Sequence, residues 1–266
     1  MICCYVESVG LAAPGLSGWL AAQPVLRGVE ALPLESLRSA SESPYAPTLL
    51  PANERRRATA TIQQAFRAGE DALARTARDP ATLATVFATA DADLQVLHRI
   101  CTALAKSPRL VSPTDFHNSV HNAAGGYFGI AIRSMMPATT LAAFNDSFAA
   151  ALLEAATLVV AEKCAVLLIA YDVIAPEPLL TARTLTASGS CAMLLSSART
   201  NATLAELTLR LADGEPTACA NATLESLRRG CPALRALPLL ATIALGSAAE
   251  TRLALGPGRA LVVRCA

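Results

Sequence analysis

A chain of 266 residues can bury a sizeable core, as one large domain or two modest ones. Its formal net charge of +1 excludes an electrostatic case for nucleic acid or an anionic membrane surface as a partner. With 53% apolar and 16% charged residues it carries more apolar surface than one subunit usually hides, which predicts a large subunit interface.

In chain order, residues 1–12 alternate weakly and read as a first strand. The N-terminus lacks a basic start and has Glu7 early, so it does not read as a signal peptide. Pro14 to Pro51 holds six prolines and predicts an irregular excursion with short helical pieces. From Pro51 the pattern predicts one amphipathic helix, stopped at Arg78-Asp79-Pro80. Its Arg55-Arg56-Arg57 run reads as a solvated helix face. Residues 84–89, ATVFAT, read as a buried strand. Asp91 and Asp93 then read as caps for a helix whose Leu94, Leu97, Ile100, Cys101 and Leu104 fall at helical spacing. Ser112-Pro113-Thr114 opens a further helix, DFHNSVHNAAGGYFGIAIRS.

Thr139–Ala161 is the stretch the chain is organised around: a strand, a polar turn at Phe144-Asn145-Asp146-Ser147 that caps a helix start, and a helix apolar on most faces. A strand running into a helix N-terminus is a place where enzymes hold a nucleophile or an anion. Ala165–Tyr171 reads as a strand covered on both faces, and the alternation of strands and helices predicts a mostly parallel sheet. Later come strands at 187–196 and 205–212, two short helices in 222–248, and a closing hairpin turning at Gly256-Pro257-Gly258.

The chemistry-bearing residues are sparse. His117 and His121 stand four apart, a metal-compatible spacing, but Asn118 occupies the glutamate position of HExxH and no metal site is predicted. With Asn118 and Asn122 they read as polar-core or partner contacts. His98 on an apolar helix reads as half-buried. No P-loop, dinucleotide-binding glycine pattern or GxSxG elbow occurs, and no cofactor is expected. Gly125-Gly126 reads as close helix packing. Eight cysteines without a CxxC pair read as reduced thiols in a cytoplasmic protein, which leaves the sequons at Asn201 and Asn221 without meaning. Runs such as Phe116–Ile132 and Ala236–Ala249 are short and interrupted by His, Asn, Gly or Pro, so no membrane span is expected.

These segments resemble the β-ketoacyl synthases, and more closely the short ketosynthase N-terminal-like chain length factors of aryl-polyene-type synthases. VSPTDFHNSVHNAAGGYFGIAI at 111–132 is similar to the family's SP-x(8)-N-x(2)-AG segment through Ser112, Pro113, Asn122 and Gly126. Met136 to Phe148 resembles the strand and turn that carry the nucleophile, and 165–172 and 187–196 resemble the next two core strands. The resemblance covers roughly residues 50–200 and implies an α/β thiolase-like layered fold. It implies a mostly complete ketosynthase-like half at 1–178 and a shortened half at 179–266, packed as one unit.

The resemblance puts the family's nucleophilic cysteine at Asn145. An amide cannot take up an acyl group, and no histidine follows His121 to serve decarboxylation. What the resemblance implies is a non-catalytic chain length factor. It would pair with a cysteine-bearing ketosynthase, as heterodimer or higher, and meet acyl carrier protein through the complex. Phe116, Asp115, Leu94, Leu97 and His98 are then candidates for the tunnel and its gate. His117, Asn118, His121, Asn122, Tyr127, Phe128 and Phe144 are candidates for the interface. For each residue singly, ordinary packing is the alternative. Two other readings stay open, an acyltransferase using Ser147 or a cysteine brought in by folding, and a free-standing acyl-binding protein.

Overall fold

The computed structural model describes residues 1–38 and 45–266. Residues 39–44 of the expected Pro14–Pro51 excursion lie outside that description. Along the chain, β1 (Ile2–Ala13), β2 (Leu16–Ser17), α1 (Trp19–Leu26), α2 (Glu35–Arg38), α3 (Ala52–Arg55), α4 (Ala60–Leu73) and β3 (Ala84–Ala88) come first. Then follow α5 (Leu94–Leu104), α6 (Pro113–Asn118), α7 (Ala123–Ile132), β4 (Ala138–Leu141), α8 (Ser147–Glu162), β5 (Val166–Asp172) and α9 (Leu179–Ala182). The chain closes with β6 (Gly189–Ser196), β7 (Ala205–Asp213), α10 (Ala222–Gly230), α11 (Leu237–Leu245), β8 (Ala249–Ala254) and β9 (Arg259–Cys265).

The strands form one sheet in the order β4-β3-β5-β6-β1-β7-β9-β8, with β2 folded back on β1. Strands from both sides of the 178/179 boundary alternate in it. Alternation of side chains along buried strands gives the sheet two apolar faces. Val86, Val166, Leu168, Cys191 and Met193 pack towards α8, α1 and α11. Phe87, Leu167, Ile169 and Leu194 pack towards α4 and α7. At Gly10 in β1 a Cβ would sit 1.9 Å from the Ala68 carbonyl oxygen, so glycine there lets α4 lie directly on the sheet.

Three expectations need correction. The sheet is mostly antiparallel: among the described residues, β3–β4 and β3–β5 are the parallel pairs. β6 and β7 pair antiparallel on either side of β1, and β8 and β9 close the sheet as a hairpin. The long amphipathic helix from Pro51 is two helices, because the Thr59 side chain accepts from Ile62 N and starts α4 afresh. The helix expected after Ser112 also breaks, at 119–122, between α6 and α7. That break separates His117 from His121, so the helical four-residue spacing never forms. Phe144–Glu162 is long and apolar enough to cross a membrane by length and composition alone, with mean hydropathy 1.3. Here α8 serves as the central helix of the core, with Phe148, Leu152, Ala155 and Val159 buried against the sheet.

Candidate functional site

The site is built where β3, β4 and β5 end together. β4 leads through Ala142-Ala143 into a 3-10 turn, Phe144–Asp146, and then α8. Phe144 is held at φ +52°, a left-handed conformation that bulky residues rarely adopt. The turn is closed by Ser147, which is buried. Its hydroxyl accepts from Ala143 N (2.9 Å) and donates to the Phe144 carbonyl (2.7 Å).

The expected capping role of the turn needs correction. Asp146 is the N-cap by position but makes no side-chain cap bond. Its Oδ1 accepts from Arg235 Nη1 (2.8 Å) and its Oδ2 from Gly256 N (2.9 Å). The carboxylate therefore ties the start of α8 to the C-terminal third of the chain. Burial lowers the Arg235 pKa, partly offset by Asp146.

Asn145 is held from above by Arg183, which follows α9. Arg183 Nη1 donates to Asn145 Oδ1 at 2.8 Å, its Nε pairs with Asp91, and its guanidinium carbon lies 4.1 Å from the centre of the Phe144 ring. Asp91 is thus an ion-pair partner and not the cap expected of it. Asp93 alone caps α5, accepting from Val96 N at 2.9 Å. The groups around Asn145 are an amide, a guanidinium and carboxylates. An amide nitrogen, delocalised into its carbonyl, is no nucleophile.

Asp172, at the end of β5, is buried. It accepts from Thr89 Oγ1 (3.1 Å), Ala90 N (2.8 Å) and Ala233 N (2.9 Å). Burial pushes its carboxyl up to about 7, against those hydrogen bonds. Burial likewise raises the buried thiols of Cys191 and Cys231, which are poor thiolates. All eight cysteines are free.

The gate candidates lie together on α5 and α6. Asp115 pairs with Arg99 (2.7 Å), joining the two helices. Phe116 is 70% exposed and Leu97 46%, while Leu94 and His98 are half-buried. Of the interface candidates, His117, His121, Asn122 and Phe144 are exposed. Tyr127, Phe128 and Asn118 correct that list: they are buried inside the chain. Phe128 packs on Phe66 and Phe87, and the Tyr127 hydroxyl donates to Asn118 Oδ1 (3.1 Å). Asn118 in turn donates to the Arg57 carbonyl (2.9 Å). Side chains so enclosed cannot form a subunit surface. Gly125 does pack closely, a Cβ there meeting Phe87 and Thr140 at 3.3 Å, but Gly126 faces open space.

Sequence reasoning missed Arg183, Asp91 as its partner, and the Asp146–Arg235 tie. The two Arg183 contacts span 92 and 38 residues, and no local pattern encodes such pairs.

Among curated proteins, none matches the chain by sequence. Solved structures do match over its full length. One is a ketosynthase (ApeO) in complex with its chain length factor (ApeC) from Xenorhabdus doucetiae, at TM-score 0.74 and 21% identity, covering 99% of this chain and 100% of that one. Another is the ishigamide ketosynthase/chain length factor, at 0.71 and 14%, covering 100% and 99%. A β-ketoacyl synthase from Burkholderia phymatum STM815 matches at 0.70 and 11%, covering 100% of both chains. These likenesses show a shared thiolase-like layered fold. A family model described as beta-ketoacyl synthase, N-terminal domain, matches residues 33–237, more than half the chain. The chain belongs to the beta-ketoacyl synthase N-terminal domain family.

Proposed function

We propose that this chain is a non-catalytic chain length factor. It pairs with a cysteine-bearing ketosynthase in the cytoplasm and shapes the acyl tunnel for polyene, polyketide or fatty-acid-like assembly. The observation that carries this reading is Asn145, an amide at the strand-to-helix turn, with its oxygen already engaged by Arg183. Ser147, the alternative nucleophile, has its hydroxyl committed to Ala143 and Phe144, which speaks for the same reading.

The surface supports a partner. Half of the exposed large hydrophobic side chains among the described residues come from residues 94–144, including Leu97, Phe116, Ile130, Met135 and Phe144. α5 is amphipathic yet buries only Val96. β4 is an edge strand, beside a groove of about 510 Å³ lined by Asn122, Gly126, Ile130 and Ala138. The solved ketosynthase–chain length factor complexes of the same fold indicate the kind of partner such a face would take. Acyl carrier protein would meet the pair and not this chain alone.

Co-expression with a cysteine-bearing ketosynthase, followed by size-exclusion chromatography, should give a 1:1 complex. A stable monomer that ignores the ketosynthase would sink the proposal. Incubation of the chain alone with acylated carrier protein should leave its intact mass unchanged. A covalent adduct would instead point to an acyltransferase with another nucleophile.

A further inference from the structure

The helix α5 stands almost clear of the core, with Val96 as its single buried side chain. Its start is nevertheless closely specified. Ala92, just before it, is held at φ +55°, in the left-handed region that alanine avoids. Asp93 uses Oδ1 to cap Val96 N, while Oδ2 of the same carboxylate is buried with no hydrogen-bond partner among the described residues. Such an oxygen is costly to bury unless something donates to it.

Beside Asp93 lies a recess of about 10 Å³, bounded by Ala92, Tyr171, Thr61 in the first turn of α4, and Ala124 in the first turn of α7. That is the space one water needs. Its wall is polar on several sides. Tyr171 is 1% exposed and within electrostatic reach of Asp93. α7 begins without a side-chain cap, so its first-turn N–H groups lack a side-chain partner there. First-turn residues of α4 and α7, the positive ends of those helices, line the recess together with Asp93, which favours an anionic oxygen there.

We infer that this recess is a binding site for a single water, which donates to Asp93 Oδ2 and ties α5 to the ends of α4, α7 and β5. The water is part of the structure, and α5 takes its position from it more than from apolar burial. This concerns how α5 is held and does not rest on what α5 does.

Asp93→Ser tests it, because a serine hydroxyl still caps Val96 N but the second oxygen is gone. Amides of Leu97–Leu104 should then exchange roughly tenfold faster, the scale of one hydrogen bond to a charged group, while α8 amides keep their protection. Tyr171→Phe, which keeps the volume, should speed the same amides and serves if the serine variant folds poorly. A high-resolution crystal structure should place a water within hydrogen-bond distance of Asp93 Oδ2. Unchanged α5 exchange in the variants, or a protein donor on Asp93 Oδ2 in the crystal, would overturn the inference.

Discussion

Asp172 and Asn145 are opposite in kind. Asn145 carries a neutral amide, whose oxygen accepts from Arg183 and serves as a structural ligand. Asp172 is ionisable but buried, and its proton is held more tightly in the folded chain than in the unfolded one, where a carboxylate titrates near about 4. That binding adds stability in full below the unfolded pKa, and the contribution is lost as pH rises through about 7. Asp172→Asn removes the titration at the expense of the bond to Ala233 N. The stability margin of the parent chain over this variant should therefore shrink as pH goes from about 5 to 8, by chemical denaturation at each pH. A margin independent of pH would mean that Asp172 does not titrate in that window.

At the scale of elements, the start of α8 is fastened by side chains that reach beyond the helix. Its first turn is fastened by Ser147 to Ala143 and Phe144, and by Asp146 to Arg235 and Gly256. Ser147→Ala leaves Ala143 N without its acceptor in a half-buried place and releases the strained Phe144 turn. The expected loss is about 1–3 kcal/mol in denaturant unfolding, the usual consequence of orphaning one buried donor. α8 itself, apolar on most sides, is legible in the sequence because its composition admits only burial. The helix breaks at 56–59 and 119–122 are not, since both depend on where side chains such as Thr59 and Asn118 find partners.

For the whole molecule, the feature that stands out is the gathering of exposed apolar side chains within residues 94–144. α5 and α6, joined by Arg99 and Asp115, present Leu97 and Phe116 outward, where a partner would bury them. If those side chains close the tunnel in a complex, Phe116→Ala or Leu97→Ala should lengthen the products by at least one extension unit, read by mass spectrometry of the released chains. Unchanged lengths with an intact complex would remove both residues from the gate and leave them as packing.

Much of this was written in local patterns. The order of elements, the buried strands β3, β5 and β6, and the apolar α8 follow from side-chain type and spacing, because periodicity decides which face must leave water. Tertiary structure alone decided strand direction, the break between α6 and α7, the inward turn of Tyr127 and Phe128, and the pairing of Asp91 with Arg183. Each of these depends on groups far apart in the chain meeting at one point, and their energies exist only once the sheet has brought them there.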